Sequence, residues 1–418
     1  MNKDERSGLH LPGGIGGPLS RRNALRLGAF GLGGLALGGL ASACGSDSTG
    51  SSSTTGGTTA GGATTAAGGA ATTAGTAAAG TSAATGGGAA KGSIKAHWVY
   101  IGPPDDNGWT QEHERGRQAA QAALGDKMES AFTPNIGFDA STTQLFEQLA
   151  TDGNDVIFAN TEYAALLSDV AAAHPETKFV EANGHAFTDN LFGYYLAHET
   201  AAYQLGVAAA LLTKSGRIGY IGAFPTATTF NDVNGLLLGA RSVNPAATVE
   251  TVLVSTFFDP QKAAQAADAL LSNGVELLFG VMDEPTFLQL AEKAGVWAAY
   301  WNLDFREAAP TKYVTNYDLS AFGPFYIEQC QAVLGGTWTA PSEVVLLDTP
   351  LGAWGAEVPQ DVQTKVAEVA TKLASGELSV YTGPLKDTSG TEVLAAGKTI
   401  DSLGAYSVDF AVEGVSGI

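Results

Sequence analysis

Lys95-Ala96-His97-Trp98-Val99-Tyr100-Ile101 runs into Gly102-Pro103-Pro104-Asp105-Asp106-Asn107-Gly108, and then into a stretch rich in Ala, Gln and Arg from Trp109 to Leu124. The aromatic and β-branched residues at 97–101 read as a buried strand, and Gly and Pro stop it. From Trp109 onward the composition is helical. A strand, a loop at its carboxyl end and a helix are the opening of a βαβ unit.

The same alternation continues outward from this stretch. Helices are expected over 142–151 and 163–173, with strands at 155–159, 178–181 and 191–196. An apolar helix over 201–213 then separates this set from a second one. There, strands at 217–221, 248–255 and 276–281 alternate with helices near 229–241, 260–272 and 285–294. Two doubly wound parallel α/β sheets in one chain account for this order. Such sheets bind ligands beyond the carboxyl ends of their strands, so the loops after Ile101, Ala159, Ile221, Ser255, Val281 and Tyr300 are the ones to search.

Those loops carry Asp106, Asn107 and Trp109; Glu162 and Tyr163; Phe257, Phe258 and Asp259; Asp283 and Glu284; and Trp301, Asn302 and Asp304. Aromatic faces beside carboxylates and amides suit a flat ligand with hydrogen-bonding edges. Taken singly, Asp259 and Asp283 read more readily as helix N-caps than as site residues, and Phe257 or Phe258 could be core. Their joint occurrence at strand ends is what points to a site.

The chain has 418 residues, with 22 Lys and Arg against 42 Asp and Glu, a net charge of −20 that argues against a polyanionic partner such as nucleic acid. Its 54 glycines are concentrated: from Gly45 to Ala90 every residue except Asp47 is Gly, Ala, Ser or Thr. Nothing in that stretch can form a core, and 44–91 reads as a flexible tether. Ahead of it, Arg21 and Arg22 precede an uncharged Gly, Ala and Leu run that ends at Cys44. Residues 1–43 have the order of an export signal, and the paired arginines resemble a twin-arginine signal. Leu40-Ala41-Ser42-Ala43-Cys44 resembles a lipobox, which would make Cys44 a lipidated first residue and hold the protein on the outer face of the cell membrane. Simple cleavage and an uncleaved apolar anchor are the alternatives. Cys330 is then the one cysteine left, and its helical spacing from apolar neighbours reads as a core thiol.

Other chemistry finds little support. Gly102 and Gly108 lack the Lys-Ser/Thr of a phosphate loop, there is no Gly-x-Ser-x-Gly elbow, and no His/Cys set has zinc spacing. His113, among Gln111, Glu112, Glu114 and Arg115, reads as solvated or capping. Neighbouring Asp283 and Glu284 do not make a working acid–base pair merely by adjacency. No enzyme, cofactor or metal site is expected.

Several strings together resemble the basic membrane protein family. They include Tyr100-Ile101-Gly102-Pro103 with Gly108-Trp109-Thr110 and His113, Gly216-Arg217-Ile218-Gly219-Tyr220-Ile221, Phe258-Asp259-Pro260, Phe322-Gly323-Pro324-Phe325-Tyr326 and Gly383-Pro384-Leu385. The resemblance implies a type I periplasmic-binding-protein fold: two lobes, three crossovers and a ligand enclosed in the interlobe cleft. One lobe would comprise 92–197 with 319–336, the other 198–318 with 337–418. It further implies a monomeric substrate-binding component of an ABC importer, which hands a purine nucleoside or base to a permease. By the same resemblance Trp109 would stack on the ligand beside Asn107, Tyr163 and Phe257 would supply further aromatic faces, and Asp283 and Asp304 would face the cleft. The same fold bound to another small polar ligand, a sensory receptor, and a nucleoside hydrolase are the other readings.

Overall fold

The computed structural model describes residues 89–163 and 165–418. The expected export signal with Arg21 and Arg22, the expected lipobox at Cys44 and nearly all of the expected tether lie outside the described residues.

The opening stretch folds as β1 (Ile94–Val99) and α1 (Trp109–Leu124). The strand stops two residues before Ile101, because the Ile101 N–H is taken by the Asn160 side-chain oxygen at 2.8 Å rather than by a ladder partner. Asp106 starts the helix by accepting from the N–H groups of Gly108, Thr110 and Gln111 at 2.9, 2.9 and 3.0 Å. After α1 come β2 (Met128–Thr133), α2 (Ala140–Thr151), β3 (Val156–Ala159), α3 (Ala165–Ala173), β4 (Lys178–Ala182) and β5 (Leu191–Leu196). β3 and β5 are buried at every position, as expected where helices cover both faces of a parallel sheet. β2 escapes a reading of the sequence because it is an edge strand of mixed burial, Met-Glu-Ser-Ala-Phe-Thr.

A second set repeats the first: α4 (His198–Leu212), β6 (Arg217–Gly222), α5 (Ala227–Arg241), β7 (Thr248–Leu253), α6 (Pro260–Ser272), β8 (Leu277–Gly280), α7 (Thr286–Ala294), β9 (Trp297–Tyr300) and β10 (Tyr313–Asn316). α8 (Phe322–Leu334), β11 (Val345–Leu347) and α9 (Gln360–Ala374) come next, then the short pairs β12 (Tyr381–Thr382) with β15 (Thr399–Ile400) and β13 (Leu385–Lys386) with β14 (Glu392–Leu394), and last β16 (Val415–Ser416). The two large sheets have the orders β11-β5-β4-β3-β1-β2 and β10-β9-β8-β6-β7-β16. All their pairings are parallel.

One segment departs from the expected division. β11 falls within 337–418, which the family resemblance puts wholly in the second lobe, yet it pairs with β5 of the first sheet. Three residues of edge strand carry too little pattern to announce this.

The chain passes between the lobes three times. β5 leads into α4, which packs on α5; β10 leads into α8, which packs on α1; and β11 leads to Leu351, which bridges to Tyr317. The three crossovers are tied together by Ala197 N–H to Leu347 O (3.1 Å), Asp318 N–H to Pro350 O (2.8 Å) and Gly352 N–H to Asn316 O (2.8 Å). Beneath them α4 is apolar and buried on almost every face. It lies so close to α5 that a Cβ on Gly239 would sit 2.0 Å from the Tyr203 carbonyl oxygen.

Candidate functional site

In the order 2-1-3-4-5 the chain reverses direction between β1 and β3, and in the second sheet between β6 and β8. These are the switch points at which α/β sheets open a crevice. In the first lobe the two loops there are clamped around one side chain: the Trp109 indole N–H donates to the backbone oxygen of Asn160 at 2.5 Å, while Asn160 Oδ1 holds Ile101.

The second lobe meets this point with Asp283. Its Oδ1 accepts from the Trp109 backbone N–H at 3.3 Å, and a Cβ on Gly108 would fall 1.6 Å from the same oxygen. Only glycine allows the helix start and the carboxyl to approach in this way. Asp283 is buried, its own N–H donating to Phe257 O at 2.8 Å. Burial raises its pKa well above the usual carboxylate range and the charge of Asp106 adds to this, against a smaller opposing effect of the Trp109 N–H. Burial here thus favours the protonated form of the side chain, the form that can donate as well as accept.

Beside it Trp301, held by Nε1–H to Met282 O at 3.0 Å, lies nearly parallel to Trp109, with 6.1 Å between ring centroids and 18° between planes. Residues 302–304 continue from Trp301 into an open cavity of about 420 Å³, also lined by Glu112 and Arg115 of α1 and by the crossover residues Asp318 and Ser320. An ion pair from each lobe borders it, Glu112 with Arg115 at 2.8 Å and Asp304 with Arg306 at 2.5 Å. Burial raises the pKa of Glu112, opposed by Arg115 and reinforced by Asp318. A volume of this size is in the range of small-ligand sites. Among the described residues no group of three His, Cys, Asp or Glu could hold a metal ion.

Of the residues expected at the site, Trp109 and Asp283 are brought into contact, and Asp304 lines the cavity. Asn107 is exposed at the entrance to α1, with a left-handed φ of 58°. Phe257 is 43% exposed on the rim, edge-on to Phe224 at 5.6 Å, and Phe258 is 61% exposed, so neither is core. Tyr163 does not reach the cleft. It turns back under its loop, 2% exposed, packs against Phe146 and donates its hydroxyl to Ile136 O at 3.0 Å. Asp259 caps α6 through Gln261 and Lys262, whereas at α7 the Thr286 N–H is taken by Glu284, which leaves Asp283 free for the cleft. Two contributors escape a sequence reading. Asn160 carries only the signal of an amide directly after a buried apolar strand. His113, expected to be solvated, is fully buried one helical turn after Trp109.

Residues 94–301 match the family described as Bmp, ABC transporter substrate-binding protein, PnrA-like. The purine-binding protein of Brucella abortus (strain 2308) is 35% identical over 333 residues, 78% of this chain and 94% of that protein.

The chain belongs to the Bmp family.

A Haloferax volcanii protein named as a candidate ABC transporter glucose-binding protein is 31% identical over 306 residues, covering 72% of this chain and 78% of its own. Among solved structures, an ABC transporter solute-binding protein from Conexibacter woesei superposes with a TM-score of 0.56 at 22% identity, covering 68% of this chain and 98% of the other. That likeness shows the fold: two parallel-sheet α/β lobes, as in periplasmic binding proteins. This Bmp protein is accordingly an extracytoplasmic ligand-binding component of an ABC transporter, and among the described residues no helix is long and apolar enough to cross a membrane.

Proposed function

We propose that this Bmp protein closes its lobes on a purine base or nucleoside and presents the closed form to its permease. The observation that carries the reading is the pair of near-parallel indoles, Trp109 from one lobe and Trp301 from the other, beside the buried carboxyl of Asp283. Aromatic faces grip a flat heterocycle, and a carboxyl or carboxylate beside them hydrogen-bonds its edge. Asn107 and Phe257 stand at the rim, and Asp304 receives whatever polar part extends into the cavity. The purine-binding relative, alike over most of its length, supports the same ligand class.

In this reading the twin arginines direct export, Cys44 carries the lipid, and the Gly/Ala/Ser/Thr tether lets a monomeric receptor search the space near its transporter. Closure excludes water from the site and makes ligand binding select the shape the permease recognises.

A second reading, a sugar or other small polar ligand, is favoured by the carboxylate-rich cavity and by the relative named for glucose. Denaturing the purified protein and identifying the released small molecule by mass spectrometry separates the two. Substituting Trp109→Ala should cost about 1–3 kcal/mol of affinity for a stacked base, and unchanged affinity removes Trp109 from the site.

A further inference from the structure

We propose that His113 is the positioning residue for Trp109, fixing the plane in which the indole meets the ligand; this rests on the reading that Trp109 is a ligand-stacking face. The two residues are four apart on α1 and therefore share its buried face. The His113 ring stands at 72° to the indole with 4.4 Å between centroids, and Phe322 meets the indole edge-on at 5.5 Å. Together with the Asn160 carbonyl at the indole nitrogen, these contacts define both the position and the tilt of the ring.

His113 is itself immobilised. It stacks on Phe322 at 4.0 Å and 22°, and its Nδ1 lies 2.6 Å from the Tyr326 hydroxyl, which is in turn 2.8 Å from the Tyr194 hydroxyl. Phe322 and Tyr326 belong to α8, the helix entered from the second crossover, and Tyr194 to β5, the strand that leads into the first. The orientation of the ligand-facing indole is thus set by elements that border the pivot between the lobes. Burial keeps the imidazole neutral, with a pKa well below the usual histidine range, so this support does not change with charge near neutrality. A histidine held in this way, with a hydrogen bond on one nitrogen and aromatic rings around it, orients a neighbour in the way that outer-shell partners orient metal ligands.

The test uses the full-length chain labelled with 15N-tryptophan, and two substitutions. His113→Phe keeps the ring volume and the stack on Phe322 but removes the Nδ1 bond; Tyr326→Phe removes the same bond from the other side without a cavity. The Trp109 indole N–H signal is assigned by its loss in Trp109→Phe. In both variants its hydrogen exchange is expected to be at least about tenfold faster at a retained melting temperature, because exchange reports how often the bond to Asn160 opens. Affinity for adenine or adenosine is expected to fall about 3- to 10-fold, the worth of an aromatic contact. Unchanged exchange, or faster exchange with unchanged affinity, overturns the proposal. A wild-type protein that binds neither purine sinks the ligand reading instead, while faster exchange in the variants still upholds His113 as what positions the indole.

Discussion

The backbone N–H of Trp109 donates to Asp283 Oδ1 across 3.3 Å, joining the first turn of α1 in one lobe to the loop after β8 in the other. Gly108 makes the approach possible, and its N–H donates at 2.9 Å to Asp106, whose charge acts on Asp283.

Gly108→Ala should block it. The added methyl would sit 1.6 Å from Asp283 Oδ1, inside the carboxyl group, so the lobes must stay apart or the helix start must shift. Overpacking of this kind costs about 1–3 kcal/mol. Ligand affinity measured by calorimetry should fall accordingly, while the melting temperature without ligand stays near that of the wild type. Equal affinity would mean that the ligand-bound form does not use this contact.

Asp283 should make ligand affinity depend on pH. Its pKa is raised where the lobes meet, so closure favours the protonated form of Asp283 relative to a solvated carboxyl. The contribution to closure is fully present below the solvated carboxylate range, near pH 3.9, and is lost as pH rises toward the raised value, by up to about tenfold in affinity per pH unit. Asp283→Asn, which cannot titrate, should flatten that limb of the profile. Identical profiles for the two proteins would remove Asp283 as its source.

Asp232 should be costly to remove. It is fully buried and accepts from the hydroxyls of Tyr220 at 3.0 Å and Tyr317 at 3.2 Å, with His198 Nδ1 at 3.3 Å. His198 comes just after the first crossover and Tyr317 begins the second, so one carboxylate ties two of the three to α5. Asp232→Ala removes the buried acceptor of the Tyr317 hydroxyl and one partner of Tyr220, at roughly 1–3 kcal/mol for Tyr317 alone, which denaturant unfolding would register. A loss below about 1 kcal/mol would show that the network is replaced by water.

Cys330 should be inert in the native protein. It is buried in α8, and burial pushes its thiol up to about 12, so almost no thiolate exists at neutral pH. A colorimetric thiol reagent should react only after denaturation. Fast reaction with the folded protein would contradict its placement in the core.

Much of this fold can be read from the sequence because parallel strands buried on both faces leave long apolar runs. Val156–Ala159 and Leu191–Leu196 are buried at every position and stand out at once. Strands at the edges leave no such mark, which is why Met128–Thr133 is missed and Val345–Leu347 is expected in the other lobe. For the site, position after a strand locates Trp109 and Asp283, but loop position alone cannot tell which way a side chain turns. Tyr163 turns into the core, and Asp304 turns toward Arg306 at the cavity. His113 sits among charged neighbours in sequence, yet its spacing of four from Trp109 puts it on the buried face. Only the packing of α8 against α1 reveals that face.

The central claim is that the interlobe site where Trp109, Trp301 and Asp283 meet takes a purine. A thermal-shift titration with adenine, adenosine, guanosine, uridine and glucose tests it most directly, because a ligand that binds only the folded state must raise the melting temperature as its concentration increases. A saturable rise with adenine or one of the purine nucleosides, larger than any with uridine or glucose and lost in Trp109→Ala, is the predicted result. A rise with glucose alone, or none with any purine, would contradict the claim.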